Sequence, residues 1–262
     1  MPARSVFGKR IAVLVIDVTR GNVEDRWTND PHVRTLLDPI ARLLAAARSK
    51  GMPVFYTHGG LFSQTAKAAR ITPVERGSWA YRVPLNNDRG TTCEELEESM
   101  QIPPQIAPLA DEVVIRKIQP SGFFETPLHG FLNLHQIDTV IICGTATHSG
   151  VLYTVADAFA YNYRVIVPRE CSATRQAEFQ EFSFNLMGLT HAEIVFLDEV
   201  LQEIENRPTQ ESVLRPGRPG GTYSQRAGFG KHPAVLVIDV HRGSADDRST
   251  AQGALQAIGQ AH

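Results

Sequence analysis

Short apolar runs recur through the first part of the chain, at residues 11–16 (I-A-V-L-V-I), 54–56, 113–115, 139–143, 164–167 and 193–196, and their length and β-branched content predict strands. Between the first two runs, Leu36, Leu37, Ile40, Leu43, Leu44 and Ala47 mark one face of a helix that stops at Gly51, ahead of Pro53. After the fourth run a turn opens another helix, on which Val151, Val155 and Phe159 recur at helical spacing. Strands alternating with helices, with strands apolar throughout rather than on one side, predict an α/β fold: a Rossmann-like parallel sheet of about six strands with helices on both faces.

Two stretches depart from that pattern. Residues 61–87 lack clear periodicity and are rich in Arg, Gly and Thr, which predicts a long surface excursion of the kind that frames active sites. Its Trp79, Tyr81 and Arg82 either close over a ligand or anchor the loop. After Asn206 the composition shifts: Pro208, Pro216, Gly217, Pro219, Gly220 and Gly221 read as a linker. The sequence beyond it repeats the beginning. F-G-K-H-P-A-V-L-V-I-D-V-H-R-G-S-A-D-D-R, from Phe229, matches F-G-K-R-I-A-V-L-V-I-D-V-T-R-G-N-V-E-D-R, from Phe7, at 14 of 20 positions without gaps. We therefore expect one domain over 1–205, a linker over 206–228, and at 229–262 the truncated start of a second copy. So short a piece cannot close a sheet of its own. Either a tandem protein has been cut short or the tail packs on something else, and strand 234–240 would present an adhesive edge.

Composition narrows the partners. Lys plus Arg number 26 against 28 Asp plus Glu, so the formal charge of −2 argues against nucleic acid or an anionic membrane as the main partner. A small-molecule substrate is expected instead. No signal-peptide core and no membrane-length apolar run is visible, which predicts a cytoplasmic protein. Cys93, Cys143 and Cys171, odd in number and widely spaced, fit reduced thiols better than a disulfide framework or a zinc site. We expect neither metal nor cofactor.

In an open parallel sheet, ligands gather at the carboxyl ends of the strands. Three polar features fall there: Asp17 ends A-V-L-V-I-D, Lys117 ends V-V-I-R-K, and the turn Ala146-Thr147-His148-Ser149-Gly150 follows the fourth strand. Each also has an ordinary explanation, as a turn residue, a strand-end lysine lying along the surface, or a helix cap.

Together these features resemble the isochorismatase-like hydrolases in order and context, over about residues 7–203. V-L-V-I-D, K-I-Q-P-S-G-F-F-E-T-P-L from Lys117, G-T-A-T-H-S-G-V-L-Y-T-V-A-D from Gly144 and D-A-F-A-Y-N-Y-R-V-I-V-P-R-E-C from Asp157 carry the resemblance. The second and last of these are similar to the N-carbamoylsarcosine amidase branch. The resemblance implies frequent oligomers and a non-proline cis peptide in the turn, placed at Ala146-Thr147. In amide-cleaving members it implies a cysteine nucleophile, a lysine that lowers the thiol pKa and an aspartate that relays protons. Here the nucleophile position is Gly150. Ser149 is one residue early, which on a helix start turns its side chain about 100° away, and a hydroxyl needs a base within reach.

A glycine turn is also what the true isochorismatases are similar to this chain in having. They hydrolyse a vinyl ether, with the aspartate as general acid and the lysine balancing charge. Burial or a substrate carboxylate favours the protonated acid, whereas a nearby lysine favours the carboxylate. The Lys117 segment keeps the Pro-Ser-x-Phe-Phe of the amidase branch, which points the other way. Around this core, Thr147 is an oxyanion donor or a cap, and His148 a substrate contact or a structural ring. Arg20 is a carboxylate contact or a solvated turn residue. His58 lacks the neighbouring aspartate and second histidine of metal-binding relatives. Three states of the site stay open: a cysteine-independent hydrolase, a silent copy that binds ligand or supports a partner domain, and an amidase whose cysteine has been removed.

Overall fold

The computed structural model describes residues 6–24, 31–59, 98–117 and 119–213. By internal contacts the chain divides into Met1–Arg215 and Pro216–His262. The second unit lies outside the described residues, as do Trp79, Tyr81, Arg82, Cys93 and the repeat from Phe229.

The described strands are β1 (Ile11–Ile16), β2 (Val54–Gly59), β3 (Val113–Lys117), β4 (Thr139–Thr145), β5 (Arg164–Pro168), β6 (Ser172–Ala173) and β7 (Glu193–Val195). The described helices are α1 (Arg20–Val23), α2 (Pro31–Arg34), α3 (Leu37–Ser49), α4 (Leu128–Leu134), α5 (Leu152–Ala160), α6 (Ala177–Thr190) and α7 (Leu197–Glu205). All pairings are parallel, in the order β3-β2-β1-β4-β5-β7, with β6 beside the end of β4.

β1 is central and wholly buried, and its residues alternate between two cores. Ile11, Val13 and Val15 pack with Ile40, Leu43, Leu44 and Ala47 of α3 and Leu197, Val200 and Ile204 of α7. Ala12, Leu14 and Ile16 pack on the other face with Leu128 and Leu132 of α4, Val155 and Ala158 of α5, and Phe184 and Met187 of α6. Helices therefore cover both faces, which is why the strand sequence is continuously apolar. On α5 the buried partner of Val155 is Ala158, while Phe159, grouped with it by spacing, is exposed. None of the described helices is long and apolar enough to cross a membrane.

The chain past α7 stays on this body. The Gln210 side chain donates to Ile11 O and accepts from Ile11 N at 2.9 and 2.6 Å, and Arg207 donates to Gly8 O at 2.7 Å. The composition break at Asn206 thus precedes the structural edge, because polar side chains can tie a segment down without any apolar signal.

β1 and β4 lie side by side, yet the chain leaves them in opposite directions, to β2 and to β5. Their carboxyl ends form the switch point where such sheets open a crevice. Gly144 makes the close approach there: its φ is +126°, and a β-carbon would sit 2.0 Å from Ile16 O.

Candidate active site

Asp17 follows β1 with a φ of 50°, a left-handed conformation that aspartate tolerates better than most residues. Three bonds hold that bend: Asp17 N donates to Thr57 O at 3.0 Å, and Asp17 O accepts from Thr145 Oγ1 at 2.7 Å and Asn22 Nδ2 at 2.8 Å. The carboxylate is fixed at both oxygens. Oδ1 accepts from Thr57 Oγ1 at 3.1 Å, and Oδ2 pairs with Lys117 Nζ at 2.6 Å. Lys117, 5% exposed, ends β3 and spans the edge of β2 at Gly59, its register partner. Its ammonium also donates to Gln119 O at 2.9 Å and Pro120 O at 3.0 Å, which uses all three of its protons.

The third feature follows β4. The peptide Thr145-Ala146 is cis, one residue earlier than the resemblance places it, because β4 runs two residues beyond its apolar stretch and the turn begins directly at its end. Residues Thr147–Val151 form a wide turn in which Ala146 O accepts from both Ser149 N and Val151 N, at 2.9 and 3.2 Å. Gly150 is buried. A β-carbon there would lie 3.3 Å from Asp17 Oδ2, 3.1 Å from Ile16 Cγ2 and 2.8 Å from Thr145 O. The position therefore faces the aspartate, and the backbone packs more tightly than a side chain at 150 accepts without movement.

Thr147 and His148 point elsewhere. Thr147, fully buried, donates to Gln180 Oε1 at 3.0 Å, and His148 Nδ1 bonds Thr174 Oγ1 at 2.6 Å with its ring against Phe179. These contacts join the turn to β6 and α6 rather than to Asp17. Arg20 is engaged by two carboxylates, Glu24 at 2.8 Å and Glu98 at 3.1 Å. Arg175, which follows the end of β6 and is exposed, reaches across to Gly21 O at 3.4 Å and so lies beside the same crevice.

Cys143 and Cys171 are buried, and burial raises both thiol pKa values, so neither supplies a ready thiolate. Burial lowers the pKa of His58, and Arg116 and Lys117 add to that, while the Gly59 carbonyl and Asp17 act against it. Its Nδ1 bonds Gly59 O at 2.6 Å.

Sequence reasoning passed over Thr57, Asn22 and Thr145, which hold Asp17. The N in D-V-T-R-G-N and the polar T-H and G-T at strand ends were the available signals.

The isochorismatase domain model matches residues 11–199. N-carbamoylsarcosine amidase from an Arthrobacter species is 30% identical over 79% of this chain and 76% of its own length. Maleamate amidohydrolase from Pseudomonas putida is 27% identical over 76% of this chain and 89% of its own. The crystal structure of an isochorismatase family protein from Desulfovibrio vulgaris superposes with a TM-score of 0.64 at 23% identity, covering 76% of this chain and all (100%) of that one.

Proposed function

The chain belongs to the isochorismatase family of hydrolases, and from that premise we propose that it hydrolyses a small carboxylate-bearing or carbamoyl substrate by Asp17 and Lys117 acid–base chemistry, without a covalent step. The observation that carries this reading is the 2.6 Å pair between Asp17 and Lys117, set against a glycine that faces the acid. An ion pair with one partner buried is a weak source of stability, so one held by this many bonds points to use. Asp17, when protonated, gives its proton to the leaving atom as that bond breaks, Lys117 pairs with the carboxylate that results, and water adds its hydroxyl to the substrate while its remaining proton returns to Asp17. Arg175 is the guanidinium we assign to the substrate carboxylate, since Arg20 already holds Glu24 and Glu98.

The test is turnover by the full chain of two panels, vinyl-ether carboxylates and carbamoyl or amide acids. Turnover of one panel that resists thiol alkylation, with KM raised about tenfold in Arg175→Ala, is expected. No turnover of either panel overturns the reading. The reading of a copy that has lost its cysteine rests on Gly150 itself. Its outcome is binding without turnover in the wild type, with alkylation-sensitive amide hydrolysis gained in Gly150→Cys.

Self-association belongs to the same proposal. On α6, Phe179, Phe182, Leu186 and Leu189 are 43%, 63%, 37% and 76% exposed and recur at helical spacing, a stripe suited to a second copy of the chain. Sedimentation of Phe182→Glu should show a smaller species than wild type. Equal masses would remove this face from consideration.

A further inference from the structure

We propose that Ser121, Thr154 and Asp157 form a positioning device that sets the Lys117 ammonium and the Gly150 turn together, from one turn of α5. This rests on the acid–base reading of Asp17 and Lys117 and names what holds the lysine in register with the acid.

The ammonium sits where the carbonyls of Gln119 and Pro120 place it, and those residues belong to a loop outside any strand or helix. Such a loop needs an anchor to define two carbonyl positions, and α5 supplies two. Ser121 Oγ, in a residue 7% exposed, donates to Asp157 Oδ2 and accepts from Phe123 N at 3.1 Å. One residue on, Gly122 N donates to Thr154 Oγ1 at 2.9 Å. Thr154 and Asp157 are three residues apart, so they share one face of the helix.

The same Thr154 hydroxyl donates to Gly150 O at 2.6 Å. One fully buried oxygen therefore joins the lysine loop to the turn that faces Asp17. Gly122 closes the arrangement: a β-carbon there would touch Thr154 Cγ2 and Thr57 Cγ2, each at 3.4 Å, and Thr57 is the residue that bonds Asp17 Oδ1. The acid, the lysine and the glycine turn thus converge on Thr154 and its neighbours, although α5 contributes no atom to the Asp17–Lys117 pair.

Asp157 acts in this scheme only as a hydrogen-bond acceptor, which separates it from a second catalytic acid. In Asp157→Asn the amide oxygen still accepts from Ser121, whereas Asp157→Ala and Ser121→Ala each remove the bond. The readout is the acylation rate of Lys117 in the full-length protein under an amine-reactive anhydride, followed by peptide mass spectrometry, alongside kcat and KM. Both alanine variants should expose Lys117 about tenfold, the factor one lost hydrogen bond of ordinary strength gives, and the double variant should add little to either. Asp157→Asn should keep Lys117 protected. Thr154→Val should expose it, and Thr154→Ser should restore protection. Turnover in the alanine variants should fall in kcat with KM nearly constant and an unshifted pH profile. If Asp157→Ala does not fold, Ser121→Ala carries the test from the other end of the same bond.

Lys117 as open in Asp157→Asn as in Asp157→Ala, additive effects in the double variant, or unchanged labelling in every variant would overturn the proposal. Because labelling needs no turnover, an inactive wild type would sink the acid–base reading while leaving this result readable.

Discussion

The two ends of the β1–β4 pair each carry an aspartate set against a glycine, and they use the same chemistry to opposite ends. At the amino end, Asp138 accepts from Lys9 N at 2.8 Å, Arg10 N at 3.2 Å and Thr139 Oγ1 at 2.7 Å, and a β-carbon at Gly8 would fall 2.1 Å from its Oδ1. At the carboxyl end, Asp17 accepts from a threonine, pairs with Lys117 and faces Gly150. Backbone amides are permanent donors, so Asp138 is a clasp on the entry of β1. Asp17 instead faces a lysine ammonium, and under the acid–base reading proposed above it is the reagent. Residue type does not separate the two; what faces each carboxylate does.

The sharpest way to break this contrast is to give both aspartates the same change. Asp17→Asn should cut turnover by roughly 10²–10⁴, the range of a lost general acid. Asp138→Asn should leave kcat within about twofold while lowering the urea midpoint. Steady-state kinetics on both variants decides it, and comparable losses of turnover would erase the distinction.

Removing the clasp entirely moves the effect to stability. Asp138→Ala leaves the Lys9 and Arg10 amides and the buried Thr139 hydroxyl without their acceptor, at a cost of about 2–3 kcal/mol. Gln210 tests the same end more gently. Its amide satisfies both polar groups of Ile11, and Gln210→Ala should cost about 1–2 kcal/mol with kcat unchanged. Chemical denaturation reads both. A destabilised Gln210→Ala that also lost activity would mean that the amino end communicates with the site.

The contrast also explains which parts were legible in the sequence. The apolar runs located all the longer described strands, because a sheet covered on both faces has no room for polar residues in its middle. They stopped two or three residues short at β2, β3 and β4, since those strands end in Thr57-His58-Gly59, Arg116-Lys117 and Gly144-Thr145. The missing residues are the ones that bear the candidate site, at the strand ends where the apolar signal stops. β6, two residues long, carried no pattern. Asp17 and Lys117 were visible as strand-end charges, but their 2.6 Å pairing was not, because it depends on β2 lying between β1 and β3. Thr145 is 128 residues from Asp17 in sequence, a contact no local spacing encodes. Ser149 and His148 drew attention as neighbours of Gly150, yet the wide turn sends His148 to Thr174.

The smallest expected effect concerns two histidines, one at each end. His58 neighbours the site, His135 lies near Arg10, and burial is the first cause lowering both pKa values. Each takes up a proton less readily in the fold than when unfolded. The stability they contribute is therefore fully present above the unfolded value of about 6.5 and is lost as pH falls through the window below it, down to the folded pKa. The ends part company in how they answer Asp17→Asn. Asp17 raises the His58 pKa, so removing its charge should lower that pKa further and start the acid-side loss at the same upper limit while extending it lower. His135 feels Arg10 and not Asp17, and should titrate as in wild type. NMR titration of both rings in the two proteins makes the comparison directly. A shift of both histidines together would show that Asp17 acts through the fold as a whole, and a shift of neither would mean that its charge does not reach the edge of β2.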